Sequence, residues 1–318
     1  MTRDKLSDLI RAAGLSHISE DLEGLILESI RLVPRESDRE QLEMGVSRIG
    51  GVPDLPRGVP WPDWNGSPLP FIAQIRLSDL YQVQMVEITE AQSPAYQLPL
   101  FELEPQVVTP RQAASIALGV LPEHGILYFF AYDHAEHKRP DWVKERGAWR
   151  VMYHGEEEGA GLVRAAAPLS ETPETASQKA RGVSFWRELT LPPVDAYDVT
   201  QMGLSGAEQE EYRCLIHDLE DAHSFPPVGT ARLLGHPQQI QNNMQIECHL
   251  LSQGRFYEAR DGFIGAGMAD LQDELDARDW RFLLQVENGW GGCLYYWMPS
   301  DAMRHRDFSQ AWLVLQYD

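Results

Sequence analysis

The spacing of apolar residues divides the chain into a short helical start, β-rich stretches and one long helix near the middle. Residues 3–13 and 19–33 carry apolar side chains at the spacing of amphipathic helices. From residue 47 onward the apolar runs are short and separated by Gly and Pro, which is typical of β-strands. A further helix follows Ser205, because Ser205 and Glu208 form a capping box ahead of an apolar stripe. We therefore predict an α+β fold that is mainly β.

The strand predictions share a high content of β-branched and aromatic residues. They cover residues 70–77, 125–132, 147–154, 232–241, 246–251, 280–287, 292–298 and 311–317. The run at 125–132 is apolar on both faces, which predicts a central position in a sheet. Residues 268–280 predict a short acidic helix, and 156–182 have the composition of a connecting segment.

Four short patterns occur twice in the same order. Residues 48–53 match 232–237, 71–75 match 282–286, 125–130 match 292–297, and 148–151 match 311–314. We interpret these matches as an internal duplication, in which two related β-rich halves pack together because neither covers both faces of its own sheet. A single domain over 1–318 then comprises N-terminal helices (1–35), a first half (36–155), a connecting segment and helix (156–224), and a second half (225–318).

The stretch 50–64, which contains four prolines and two tryptophans, precedes the first matched strand. Polyproline ligands are usually exposed segments that bind partner grooves. The start of this stretch recurs at 232–237, so we interpret it as a rigid strap and expect Trp61 to be largely buried.

Composition limits the classes of protein that the chain could belong to. It has 318 residues, 43% of them hydrophobic, and a formal charge of −21. Dispersed acidity opposes binding to nucleic acid. It would suit a basic protein partner, although we favour the simpler explanation that it keeps the protein soluble. The charged N-terminus lacks the pattern of a signal peptide, and no apolar run approaches the length of a membrane span. Three cysteines without a Cys-x-x-Cys motif predict a reducing, cytoplasmic location.

Polar residues at matched positions are the main candidates for a site. Gln74 and Gln285 lie in the middle of matched strands, and either line a cleft between the halves or bind backbone groups of the preceding Pro-rich loop. Arg48 and Arg232 either bind carbonyl and carboxylate groups within the fold or form an anion site. His236 lies beside Arg232, and Trp290 could anchor a partner.

Other motifs give weaker signals. His217, Glu220, Asp221 and His223 have metal-ligand spacings, but no second cluster completes a site, and a solvated helix end explains them. Cys248 and His249 would point to opposite faces of a strand and could not bond to each other, so we expect Cys248 to be a buried, unreactive cysteine. Cys214 and Cys293 stand among apolar residues, and we expect the same of them. We expect no metal and no cofactor.

The motifs together resemble a known family. "SRIGGVPDLPRGVPWP", "PLPFIAQIRLSDL", "LPEHGILYFF", "RLLGHPQQIQ", "DWRFLLQVE", "WGGCLYYWM" and "DFSQAWLVLQYD" are similar to the bacterial YwqG-like family, a domain-of-unknown-function family. This resemblance covers nearly the whole chain and implies a mainly β, α+β bacterial protein with no established reaction. It also gives weak support for a toxin–immunity context.

Two hypotheses from different classes follow. The first is a cytoplasmic, non-enzymatic protein-interaction module that binds a basic partner such as a toxin, away from nucleic acid and membranes. The second is a small-ligand-binding protein or enzyme, with a cleft between the halves lined by Gln74, Gln285, Arg232 and His236.

Overall fold

The computed structural model describes residues 2–35, 42–82, 84–92, 99–106, 121–132, 146–155, 161–166, 180–222, 231–258, 264–287 and 292–317. The helices are α1 (Arg3–Ala12), α2 (Ser19–Leu25), α3 (Tyr197–Thr200), α4 (Gly206–Ala222), α5 (Met244–Ser252), α6 (Leu271–Ala277) and α7 (Ser300–Arg304). Short 3-10 turns occupy Ser16–Ile18, Leu77–Gln82 and Phe308–Gln310.

The strands outnumber the helices. They are β1 (Leu27–Pro34), β2 (Arg48–Ile49), β3 (Asp54–Pro56), β4 (Asp63–Trp64), β5 (Ser67–Pro68), β6 (Phe71–Arg76), β7 (Gln84–Gln92), β8 (Pro99–Gln106), β9 (Ile126–Ala131), β10 (Trp149–His154), β11 (Leu162–Arg164), β12 (Arg181–Thr190), β13 (Arg232–Leu233), β14 (Phe256–Glu258), β15 (Ile264–Ala266), β16 (Trp280–Glu287), β17 (Gly292–Pro299) and β18 (Trp312–Tyr317). The prediction of an α+β, mainly β fold is confirmed.

One large sheet contains most of these strands, in the order β10-β9-β6-β2-β12-β1-β13-β16-β17-β18. Its centre is the antiparallel pair β12–β1, while β7 joins β12 on a side path and pairs with β8. The two ends of the sheet, β10 and β18, lie close together. The rings of Trp149 and Trp312 are 4.9 Å apart, and the Trp149 indole donates to the carbonyl of Ala311 at 2.8 Å. The sheet is therefore nearly closed.

The apolar core has two parts. The larger part fills the curved sheet, where Phe129 of β9 packs edge-to-face on Tyr296 of β17 with ring centroids 5.1 Å apart. The smaller part lies under the helices, where Leu6, Leu22 and Tyr212 pack together. Among the described residues, no helix combines the length and apolarity needed to cross a bilayer.

Most predicted strands of the two halves are confirmed, including the fully buried β9 between β6 and β10. The capping box at α4 is also present. The Ser205 backbone donates to Glu208 at 2.8 Å, and the Glu208 backbone donates to the Ser205 hydroxyl at 3.3 Å.

The predicted helix over 19–33 is wrong beyond Leu25. Residues 27–34 form β1, and β12, which the sequence patterns did not reveal, is its partner over eight consecutive pairs from Leu27–Thr190 to Pro34–Val183. Apolar residues recur in this stretch at a spacing that fits a helix, but both faces of the strand are buried, and tertiary pairing decides between the two conformations.

The predicted strand over 246–251 is also wrong, because these residues lie in α5. The Asn243 side chain caps this helix by accepting from the backbone of Gln245 at 3.0 Å, and the chain turns at Gly254, which has φ of 72°. Of the strand predicted over 232–241, only Arg232–Leu233 pairs into the sheet.

The strap over 50–64 is ordered, but Trp61 is only partly buried, contrary to expectation. Its indole packs on Phe130 at 5.8 Å and donates to the carbonyl of Leu69 at 2.8 Å. Trp64 is the buried tryptophan of the strap, at 8% exposure.

The matched strands occupy corresponding places on the two sides of the β12–β1 pair. Moving outward from it, one side runs through β2, β6, β9 and β10, and the other through β13, β16, β17 and β18. The internal duplication itself remains a prediction, which superposition of the halves would test.

The turn at Gly235 gives a stability prediction. Gly235 has φ of 72°, and a Cβ there would lie 2.6 Å from Ser29 Cβ, whereas Gly14 has φ of 80° and open space around it. Replacing either glycine by Ala should cost about 1 kcal/mol for the left-handed backbone. We expect Gly235→Ala to cost a further 1–3 kcal/mol, roughly, from overpacking. Urea unfolding of both variants checks this, and equal losses would contradict it.

Candidate functional site

A buried polar cluster in the first half centres on Asp54, which is fully buried. Its carboxylate forms ion pairs with Arg48, which is 1% exposed, and with Arg164 at 2.9 Å from Arg164 Nε. It also accepts from the backbone N–H of Gly45 at 2.6 Å. A buried charge is tolerated only when it is paired and hydrogen-bonded, so this cluster anchors the strap to the sheet.

A second buried cluster lies at the centre of the sheet around Arg232, which is 1% exposed. Its guanidinium contacts Glu220 of α4 and lies 3.2 Å from Glu188 of β12. Arg31 of β1 joins the same two carboxylates, at 2.7 Å from Glu188 and 3.0 Å from Glu220. Two arginines and two glutamates therefore neutralise one another and connect β1, β12, β13 and α4.

The electrostatics of this four-residue network favour its charged form. Burial alone would raise the pKa of Glu220, but the nearby Arg232 and Arg31 outweigh burial and hold the pKa below its usual value. The carboxylate of Glu220 is therefore a structural counter-ion at neutral pH.

The two matched glutamines make matching hydrogen bonds. The Gln74 side-chain oxygen accepts from the backbone N–H of Asp54 at 2.8 Å, and the Gln285 side-chain oxygen accepts from that of Gln238 at 2.8 Å. The carbonyl groups of the same two residues each accept from a tyrosine hydroxyl. Tyr128 donates to Asp54 at 2.7 Å and Tyr295 to Gln238 at 2.6 Å.

These contacts agree with the structural interpretation of Arg48, Gln74, Arg232 and Gln285. All four are buried and bind backbone or carboxylate groups of the fold, and none of them lines the pocket described next. The contacts of these four matched polar residues in the structure are with other groups of the fold, as expected for buried polar side chains.

A pocket of about 440 Å³ opens on the second half, beside α3 and the start of α5. Its apolar surface comes from Trp280 and Phe282 of β16, Trp297 of β17 and the Pro192–Pro193 turn. Arg278, Arg281, Asp198 and Asp279 add charge, and Gln239, Asn243 and Gln245 add amide groups. A concave, largely aromatic surface with a few polar groups is the usual composition of a small-ligand site.

His236 is the one sequence-derived candidate that lines this pocket. Its Nε2 lies 2.8 Å from the Leu25 carbonyl, which can only accept, so Nε2 carries the proton. Burial lowers the pKa of His236 to about 4, against the raising effect of this hydrogen bond. At neutral pH its Nδ1 is therefore an unprotonated acceptor, and it makes no hydrogen bond within the described part of the chain.

The structure also locates the weaker candidates. Trp290 and His223 lie outside the described residues. Glu220, a metal-ligand candidate by spacing, is bound by two arginines, and the described residues contain no cluster of three or more potential metal ligands. Cys214 is exposed on α4, which corrects the expectation of an apolar setting, while Cys248 and Cys293 are buried.

Sequence reasoning did not find the acidic partners or most of the pocket. Glu188 lies in the strand that the patterns did not reveal, so its pairing with Arg31 could not be inferred. The pocket combines residues adjoining the two central strands, at 24–27 and 192–198, with residues of the second half. Only the position of His236 directly after the matched Gly235 gave a signal.

The fold and site define a mainly β, α+β protein with a nearly closed sheet, two buried ionic clusters and one mixed aromatic–polar pocket. Residues 47–87 and 109–316 match the family model described as Domain of unknown function (DUF1963), and the chain belongs to this family. A comparison with curated proteins found no match.

The central network gives a prediction about stability and pH. Glu220→Gln leaves Arg31 and Arg232 with one carboxylate, and we expect a loss of about 3 kcal/mol at pH 7. Because the folded pKa of Glu220 is depressed, its contribution is present above the unfolded pKa of about 4.3 and declines as pH falls through the folded value.

The difference in unfolding free energy between variant and wild type should therefore be constant above about pH 5 and shrink as the pH falls below about 4.3. The control is Glu210→Gln, which removes an exposed pair with Arg213 and should change stability by less than about 0.5 kcal/mol. An equal effect of the two substitutions, or a gap independent of pH, would refute the role of the network.

Proposed function

We propose that this protein binds a small molecule in the pocket lined by His236, Trp280 and Trp297. The observation that supports this proposal is the pocket itself, whose volume of about 440 Å³ is in the range of ligand sites. Its lining includes both aromatic side chains and hydrogen-bonding groups. Burial of a ring would supply affinity, and the polar groups would orient the ligand.

Several features of the pocket suit binding better than turnover. Among the described residues its lining includes no Ser, Cys, Lys or Thr, so that a nucleophile there would have to be a carboxylate, His236 or Tyr197. Burial keeps His236 unprotonated far above its pKa of about 4, whereas an acid–base catalyst works best with a pKa near the working pH. A non-enzymatic role therefore remains the proposal.

A compound screen tests this proposal. In a thermal-shift screen of metabolites against the full chain, at least one compound should raise the Tm, because a ligand that binds only the folded state stabilises it. Tyr197→Ala removes one aromatic wall and should weaken binding about tenfold.

The matched control is Tyr317→Ala, because Tyr317 is exposed at the end of β18 and does not line the pocket. It should bind like the wild type. If no compound shifted the Tm, or if both tyrosine variants behaved alike, the pocket would not be the binding site.

A second candidate is a protein-interaction role, favoured by an exposed surface on the second half. Met268, Leu271 and Leu275 are 94%, 63% and 39% exposed, and this apolar–acidic surface is surrounded by Asp270, Glu274 and Asp276. Isolated exposed apolar residues are ordinary, but three grouped with acids suit a basic partner with an apolar anchor. The finer hypotheses of a toxin as partner, a bacterial origin and a cytoplasmic location are supported only by sequence resemblance and composition.

Cross-linking in the native host tests the second candidate. We expect a basic protein to be captured by the wild type and lost when Met268 and Leu271 are both replaced by Ser. Val163→Ser, at a residue 44% exposed outside this surface, is the control and should retain the partner. Capture that is insensitive to the double substitution would count against this surface.

A further inference from the structure

The sequence matches align Gln245, a residue of the pocket lining, with Trp61 of the first half. Trp61 and Gln245 are each 13 residues beyond the matched arginines (61 − 48 and 245 − 232). The Trp61 indole donates to the carbonyl of Leu69 at 2.8 Å, and the Gln245 amide donates to the carbonyl of Trp280 at 2.9 Å. Leu69 and Trp280 each stand two residues before the phenylalanine that begins the matched pattern.

The surroundings of these two side chains match as well. In the first half Phe71 packs edge-to-face on Phe130 with centroids 5.5 Å apart, and in the second half Phe282 packs on Trp297 at 5.4 Å. A break in strand register lies between Phe71 and Ala73, and another between Phe282 and Leu284. The segment aligned with the strap, residues 234–243 ahead of α5, is the second strap. The backbone at the start of each strap has two successive residues of positive φ, Gly50–Gly51 and Leu234–Gly235.

The two halves therefore differ in whether a tryptophan ring occupies this position. Trp61 packs its ring at 5.8 Å and 71° on Phe130. In the second half Gln245, Trp280 and Trp297 line the pocket together, and Gln245 has no ring. The second half therefore has aromatic side chains comparable to those around Trp61, but the position aligned with Trp61 carries no ring.

The charged groups at the pocket rim narrow the class of ligand. Arg278 is paired with Asp198 at 2.7 Å and lies over the Tyr197 ring at 5.5 Å. Arg281 donates to the carbonyl of Arg278 at 2.8 Å, but neither Arg281 nor Asp279 forms an ion pair with another described residue. The lining therefore offers one cation and one anion without a charged partner in the described part of the chain. His236 Nδ1 adds an acceptor without a hydrogen bond inside the described part of the fold.

We infer that the pocket binds an aromatic amino acid whose ring carries an N–H group, with the ring in the place that Trp61 takes in the first half. The ring packs edge-to-face on Trp297, and its N–H donates to His236 Nδ1. The carboxylate and ammonium groups of the ligand pair with Arg281 and Asp279. This inference rests on the proposed small-molecule function and names its ligand class.

Calorimetric titration of the full chain tests the ligand class with four probes. We expect L-tryptophan to bind more tightly than indole or adenosine, which lack the zwitterion, and than L-leucine, which lacks the ring. Binding of indole as tight as that of tryptophan would overturn recognition of the amino-acid group. If only a non-aromatic compound from the broader screen bound, the ligand class would be wrong while the binding function stood.

Substitutions at the two matched positions test the location. Gln245→Trp places an indole in the pocket and should weaken tryptophan binding at least tenfold. Gln245→Leu removes the hydrogen bond to Trp280 without filling the space and should bind within about threefold of the wild type, since one neutral hydrogen bond contributes little. Unchanged tryptophan binding by Gln245→Trp would overturn the inference.

The reverse substitution keeps the inference testable if Gln245→Trp does not fold. Trp61→Gln opens the first half and should lower the Tm by about 5 °C or more. Added indole should then raise the Tm of this variant more than that of the wild type, because it refills the vacated space. If indole stabilised both proteins equally, the correspondence between the two places would be wrong.

Discussion

The antiparallel pairing of β1 with β12 is the contact on which the rest of the structure depends. It joins the two sides of the sheet over eight consecutive residue pairs. Two arginines and two glutamates lie on it or beside it, and removing any one of them would leave an unbalanced buried charge. The same junction positions the pocket. The Thr190 hydroxyl of β12 accepts from the backbone of His236 at 2.9 Å, and the Leu25 carbonyl before β1 holds the ring of His236.

The sequence predicted the outer strands of the sheet well and its centre poorly, for one physical reason. β6, β9, β16 and β17 are long, apolar and bounded by Gly or Pro, so their conformation is evident locally. β1 carries Ser29 and Arg31 in buried positions, and β12 carries Glu188. These polar residues are tolerated in a core because they have hydrogen-bonding or charged partners. The partners lie far along the chain, so no local pattern reveals them. The helix α5 was missed for a different reason, since its signals were the cap at Asn243 and the turn at Gly254, not its apolar spacing.

The two matched glutamines bind groups of the fold. Gln74 and Gln285 lie in the middle of matched strands, and the sequence left open whether they line a cleft or bind backbone groups of the preceding loop, with the second interpretation favoured. In the structure each satisfies a backbone N–H of a Pro-rich segment that cannot pair into the sheet. Such a segment has few donors and acceptors in regular ladders, so it needs side chains to satisfy them. The positions that match between the halves therefore describe how each strap is fixed to the sheet.

Two positions at which the aligned segments differ lie in the pocket lining. At the place of Val52 in the first strap stands His236 in the second, and at the place of Trp61 stands Gln245. The counter-ion of the buried arginine differs too. Arg48 is neutralised by Asp54 of its own strap, whereas Arg232 depends on Glu188 and Glu220 from β12 and α4. The counter-ions of Arg232 thus come from outside the second strap. Gln238, which aligns with Asp54, therefore does not have to balance a charge. The residues beyond Gln238 are held by other groups of the scaffold. The Gln316 side-chain oxygen accepts from the backbone of Ile240 at 2.9 Å, and the Gln239 amide donates to the Asp195 carboxylate at 2.8 Å. In the second half the segment that lines the cavity is therefore fixed by neutral side chains and one carboxylate, with no buried arginine pair of its own.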